Sequence, residues 1–398
     1  MDWFDRSLWK QSGSGEFCNA VDPVELLEKT PDILWPGLMP CDFLPLIGND
    51  AGDWLGVHVD AQNQASEIRH WYHGGGDWIP WGRTLAEAIL FASVSDRLPG
   101  PHRRHAIPAE PIRPSDSEGP WLAWALRHLP AAMKATTDSL DGPALADLFL
   151  QHGVAEVAVR CELVQHALSE SLTETLNPKL ADQLGVDPGS LIQWTFDQDR
   201  MPQDVHNRLT KDFDWQPAKQ DWQTAAKHCQ AVTAIAPQLG WAWDVLAYSL
   251  ERSGETQQAI QAYRQAAKCS VFTDQSIRLR THWESVRSGK FSVARLSQLD
   301  PELAQRDAFI QAMLVSDPEA RRIAVTEHWL GKAAKVSEQP AVAVEHMIAA
   351  GWDLGADPMS VYGSLLQQIA ETADAANQTA RARVAETHRM CLKERYGV

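Results

Sequence analysis

The stretch Leu239–Ser270, LGWAWDVLAYSLERSGETQQAIQAYRQAAKCS, constrains this chain more than any other. Trp243, Leu246, Ala247 and Leu250 recur at i, i+3, i+4 and i+7, the stripe by which a helix meets a core. Gly254 stands where that helix must stop, because a left-handed terminal residue costs glycine no Cβ clash. Ala259, Tyr263 and Ala266 form a facing stripe, and the small alanines let a second helix come close. The spacing therefore predicts two antiparallel helices. It also recurs: Ala225 and Cys229 stand 34 residues before Ala259 and Tyr263, and Gly289 and Ala294 follow Gly254 and Ala259 by 35. Fixed recurrence at that length is the mark of stacked helical hairpins.

With Pro237 at a repeat-closing position, these residues resemble the tetratricopeptide repeat. One good unit is expected, half a unit before it and a degenerate one after it. The resemblance implies a concave groove holding a partner segment. Trp241, Asp244 and Tyr248 lie at i, i+3 and i+7 on a different face from the Trp243 stripe, and the family places such positions along that groove. An exposed aromatic there would be a binding anchor. The competing reading is that further helices bury the face.

Nearer the start, Leu55, Val57 and Val59 alternate with Trp54, Gly56, His58 and Asp60, the period of a half-buried strand. A polar turn over Ala61–Ser66 leads to a second strand candidate, Glu67–His73, so the pair reads as an antiparallel hairpin. Thr84 and Glu87 then make a capping box ahead of Leu85, Ala88, Ile89 and Ala92 at helical spacing. Leu44-Pro45-Leu46-Ile47, Gly52-Asp53-Trp54-Leu55, Ile68–His73 and Leu85–Phe91 together resemble the SUKH superfamily, the Smi/Knr type of cell-wall-synthesis regulator. The family's opening helix has only a shortened counterpart around Glu25–Leu34. The resemblance implies a small α+β domain with a protein-binding surface, for which Asp53, Trp54, Trp71, Tyr72 and Trp78 are the candidates. The alternative is that these aromatics are core.

The expected organisation is multidomain: a small α+β N-terminal domain followed by an all-α, tetratricopeptide-like solenoid of helical hairpins. Residues 1–21 read as a flexible lead-in and 22–97 as the SUKH-like domain. Residues 98–118, with five prolines, read as a linker. Residues 119–210 form a helical region, 211–300 the repeats and 301–398 a C-terminal helical region. Everything from 119 onward is expected to form one continuous array.

The formal net charge is −16, which disfavours a nucleic-acid partner. Six scattered cysteines without a CxxC pair fit reduced thiols in a cytoplasmic protein. The start, MDWFDRSLWK, lacks the basic residues of a signal peptide, and no apolar run is long enough for a membrane span. His70 and His73 are three apart on a strand and so point to opposite faces, which argues against a shared metal. Ser288-Gly289-Lys290 lacks the earlier glycine of a phosphate loop, since Glu284 stands there. No spacing assembles a Ser-His-Asp triad. No cofactor or metal is expected, and no catalytic residue is assigned. The function expected is non-enzymatic: a scaffold or regulatory protein that binds a protein or peptide. One alternative is an immunity protein neutralising a basic nuclease-type toxin, and another is an enzyme whose site is assembled from distant helical residues.

Overall fold

The computed structural model describes residues 2–11, 13, 16–100, 119–137, 140, 142–168, 178–213, 219–273, 289–355 and 359–398. Most of the expected linker, together with Glu284 and Ser288, lies outside these residues. Among the described residues the strands are β1 (Asn19–Ala20), β2 (Phe43–Gly48), β3 (Trp54–Val59), β4 (Ala65–Trp71) and β5 (Trp78–Gly82). The α-helices begin with α1 (Asp2–Asp5), α2 (Leu85–Val94), α3 (Pro120–Arg127), α4 (Gly142–His152) and α5 (Glu156–Leu168). There follow α6 (Pro178–Leu184), α7 (Pro188–Phe196), α8 (Gln203–Asp212), α9 (Trp222–Ile235), α10 (Gly240–Arg252) and α11 (Thr256–Ala266). The last are α12 (Phe291–Leu299), α13 (Pro301–Arg306), α14 (Ala308–Met313), α15 (Pro318–Lys335), α16 (Pro340–Trp352), α17 (Met359–Ala375) and α18 (Thr379–Tyr396). A small sheet with its covering helix thus precedes a long helical region.

Contacts divide these residues into two compact units. The first holds the chain up to Arg97, residues 119–159 and Arg322–Val398; the second holds Arg160–Arg321 with Leu98–Gly100.

In the first unit the sheet is an antiparallel meander in the order β1-β2-β3-β4-β5. The hairpin expected from alternation is β3 and β4, in register from Trp54↔Trp71 to His58↔Glu67. β2 and β5 carry Pro45 and Pro80, residues that argue against a strand because they cannot donate to a ladder. The sheet tolerates Pro45 beside a bulge, opposite Gly56, and Pro80 on the outermost strand, opposite Arg69. Gly56 is needed for close approach: a Cβ there would stand 2.3 Å from the Phe43 ring. Thr84 caps α2, its side chain accepting the Glu87 amide at 3.3 Å. The Glu87 carboxylate then reaches the amides of Arg83 and Ala155 at 3.2 and 3.1 Å.

Two expectations fail here. Residues 1–21 are not a loose lead-in. Trp3 is buried edge-on against Trp121 and Trp124, with centroids 5.1 and 5.2 Å away, and their indoles donate to the Leu8 carbonyl and the Asp2 carboxylate. Burial of three indoles outweighs the polar, glycine-spaced sequence around them. Nor is 119–398 one continuous array, because Arg322–Val398 belongs with the sheet. Asn63, in the β3–β4 turn, accepts the Ala380 amide at 2.8 Å and donates to the Asn377 carbonyl at 2.9 Å. Arg381 inserts its buried guanidinium toward the Val59 carbonyl, Glu345 and Asp42. Arg395 bonds the carbonyls of Leu34 and Pro31.

In the second unit, Leu184, Leu191, Val205 and Leu209 make a small core for α6–α8. Next, α10 packs on α9 and α11, and α11 on α12. Gly254 takes φ +79, and the Glu255 amide returns to the Leu250 carbonyl at 2.9 Å, so the helix stops where the sequence places its stop. Phe196, Trp222, Tyr248, Tyr263 and Phe291 form the aromatic interior, with neighbouring centroids 5.1 to 6.0 Å apart.

Candidate functional sites

The three residues expected to line an exposed groove are interior. Trp241 and Tyr248 are 0 % exposed and Asp244 is 2 % exposed. The Tyr248 ring meets Phe196, Trp222 and Phe291, and its hydroxyl donates to the buried Asp197 carboxylate at 2.8 Å. Arg252 and Arg200 pair with the same carboxylate. A helix has two apolar faces here, and the larger aromatic one went inside. Of the stripe read as core, Ala247 is buried while Trp243, Leu246 and Leu250 are only half-buried. Leu246 and Leu250 floor an open groove of about 620 Å³, whose rim carries Gln223, Lys227 and Gln230 of α9 and Gln258 of α11. Also on α9, the His228 ring lies 3.1 Å from Arg160. Burial, Arg160 and Lys227 hold that imidazole below its usual pKa, so it stays neutral.

The N-terminal candidates also pack rather than present. Trp71 is 0 % exposed and its indole donates to the Leu38 carbonyl at 2.9 Å. Trp78 is buried beneath the Arg69 guanidinium, 3.7 Å from its ring. Tyr72 and Trp54 are half-buried, Tyr72 against the His70 ring at 3.8 Å. Asp53 ties the hairpin's ends, accepting the His73 amide at 2.8 Å with His70 3.7 Å away. Burial alone would raise its pKa, but the His70 and His73 hydrogen bonds and the His70 charge outweigh it and hold the carboxyl at about 2. His70 is buried and His73 exposed, so the two rings do not converge.

A different stretch of this unit faces water. Val24, Leu27, Trp35 and Leu38 are 67, 76, 40 and 40 % exposed. Asp22, Glu25, Glu28 and Asp32 accompany them in sequence, and partial burial, with the charges of Glu28, Asp32 and Asp22 adding to it, pushes the Glu25 carboxyl up. The shortened opening helix expected around Glu25–Leu34 does not form. The structure has a single tight turn over Glu25–Leu27, with the Asp22 carboxylate accepting the Val24 amide at 2.8 Å. One turn is too short to bury Leu27, and the interleaved acids were the legible sign of it.

The pairing of β3 with β4 also builds a contact that spacing alone did not reveal. His58 Nε2 lies 3.1 Å from Asp42 Oδ2, and His58 Nδ1 lies 2.9 Å from Ser66 Oγ. Burial works against ionising Asp42, but His58, Arg69 and Arg381 hold its pKa well below the usual carboxylate range.

Among the described residues, no three His, Cys, Asp or Glu side chains are grouped to hold a metal ion, and no helix is long and apolar enough to cross a membrane. No protein-family model, curated protein or solved structure gives a significant match to this chain.

Proposed function

We propose that the chain is a protein-binding protein whose working surface in the first unit is the segment from Asp22 to Leu38. The observation that carries this is the exposure of Val24, Leu27, Trp35 and Leu38 among four acids. Large apolar side chains are costly to leave in water as a group, and a tryptophan in a segment that carries four acids, one of them paired with Arg395, has the composition of an anchor for a basic partner. Trp35 is held edge-on by His73 at 5.1 Å, which leaves it partly ordered before binding. In the second unit, the groove floored by Leu246 and Leu250 is of ligand-pocket size. Its amide rim suits an extended peptide, the role expected of a tetratricopeptide-like array.

Two binding surfaces favour a scaffold or regulator. The acidic segment keeps a second reading in place, an immunity protein that covers a basic toxin in the manner of the SUKH resemblance. Both are tested by affinity capture with the whole chain, with Leu27→Asp/Trp35→Ala and with Leu246→Glu/Leu250→Glu, each at low and high salt. A basic protein released by salt and lost with the first pair supports the acidic surface; loss with the second pair assigns the groove. Capture that neither pair alters refutes the proposal.

A further inference from the structure

We propose that Ser66 is a nucleophile and His58 its general base, in a solvent-facing site that hydrolyses small carboxylic esters. This stands apart from the binding reading and rests on one arrangement. Asp42 is 6 % exposed, His58 half-buried and Ser66 exposed, so the three run from interior to solvent in that order. The Asp42 carboxylate can only accept a hydrogen bond. The His58 nitrogen facing it, Nε2, therefore carries the proton, and Nδ1 keeps its lone pair for the Ser66 hydroxyl at 2.9 Å. Glu67 also stands 4.0 Å from Nδ1, but that same oxygen accepts the Arg69 Nε–H at 2.7 Å. Arg69 and Arg381 stand 4.0 and 3.6 Å from Asp42 and keep it an anion.

Strand geometry explains how these groups meet. His58 pairs with Glu67 and Val59 with Ala65, so Ser66 is the extra residue of a bulge, a device that re-aims a side chain. The arrangement differs from the usual serine relay in that the acid and the hydroxyl have exchanged imidazole nitrogens, but either nitrogen serves as a base. The Ser66 hydroxyl can also turn to the His58 carbonyl at 3.4 Å, a longer contact.

In the reaction, Ser66 Oγ bonds to the ester carbonyl carbon as its proton passes to His58 Nδ1. The carbon–alkoxy bond breaks, and the departing oxygen takes that proton and leaves as an alcohol. Water then attacks the acyl carbon, again giving a proton to Nδ1. The acyl–Oγ bond breaks, Ser66 recovers its proton, and the carboxylic acid departs. Asp42 is a positioning residue that sets the imidazole tautomer. No donor pair is assigned to the oxyanion, and lack of even one such donor slows a serine enzyme by about 10²–10³. Slow turnover follows, so covalent labelling is the sensitive readout.

The test treats the full chain with a fluorophosphonate, in which Oγ–P forms and fluoride leaves, and follows intact mass and labelled peptides. One adduct per chain on Ser66 is expected. It should be absent in Ser66→Ala and should form about a hundredfold more slowly in His58→Gln, the low end of general-base effects. No adduct on Ser66, or an equal rate in His58→Gln, overturns the proposal. Imidazole ¹⁵N shifts of the unmutated protein give an independent reading that no misfolded variant can confuse. In the neutral ring the proton is expected on His58 Nε2 with Nδ1 bare, and the reverse tautomer overturns the proposal.

Discussion

Tyr248 gives its hydroxyl hydrogen to the Asp197 carboxylate at 2.8 Å in the interior of the second unit, where Arg252 and Arg200 meet the same acid. One carboxylate thus satisfies three donors from a loop and a helix. Tyr248→Phe removes one hydrogen bond to a charged group and leaves the anion paired, so it should cost about 1.5 kcal/mol. Asp197→Ala leaves the buried phenol without its acceptor and takes one of two carboxylate partners from each guanidinium, Arg252 keeping Asp199 and Arg200 keeping Glu251, and should cost about 3 kcal/mol. Urea midpoints of the two variants check the order. Equal losses would show that Asp197 is not the hub.

Arg381 ties the last helix to the sheet through Asp42 and the Val59 carbonyl, and to α16 through Glu345. Arg381→Met keeps the bulk but leaves Asp42 leaning on His58 and Arg69 alone. A loss of about 3 kcal/mol is expected. Hydrogen exchange should show where it falls, with amides of Thr379–Tyr396 exchanging faster than those of α10 and α11.

His388 is 0 % exposed. Burial holds its pKa down to about 4, with Arg395 adding to the effect and the Phe43 backbone and Asp42 opposing it. The folded protein therefore keeps this ring neutral while the unfolded chain titrates near 6.5. Above pH 6.5 neither state binds the proton and stability is at its full value. As pH falls from 6.5 to 4 only the unfolded chain takes the proton, so stability drops by about 3 kcal/mol. His388→Leu should flatten unfolding free energy across that window, and an unchanged slope would contradict the assignment.

Asp53 works lower on the scale. Its folded pKa of about 2 lies below the ordinary 3.8, so its contribution is complete above pH 4 and fades as pH falls toward 2. Screened by the solvent that reaches this half-buried carboxylate, that contribution is about 1 kcal/mol. The difference in stability between the unmutated chain and Asp53→Asn should shrink across that interval. A constant difference would mean that Asn keeps the same hydrogen bonds and that charge is irrelevant.

Local periodicity carried much of the fold. The β3–β4 hairpin, the Thr84 cap and the pair α10–α11 around Gly254 stand within a few residues of where spacing puts them. Pro45 and Pro80 hid two strands, because a proline reads against a ladder unless a bulge or an edge excuses it. The orientation of α10 was not legible. A stripe at i, i+3, i+4 and i+7 marks a face, but Trp241 and Tyr248 marked another, and only the aromatic neighbours Phe196 and Phe291 decide between them. The return of Arg381 to Val59 left no local trace, since its partners stand 322 residues apart. The Asp42–His58–Ser66 contact was hidden for a related reason, as it exists only in one strand register.

The first unit is built from both ends of the chain. On a ribosome, the strand face that receives Arg381 and His388 emerges long before either residue is made. At about 5–20 residues per second, that face waits tens of seconds for its cover, with Asp42, Phe43 and Cys41 open to water or to a chaperone. Final assembly of the sheet thereby waits for synthesis of Thr379–Tyr396, so a message cut short upstream of Thr379 would yield a sheet whose charged pocket has no lid.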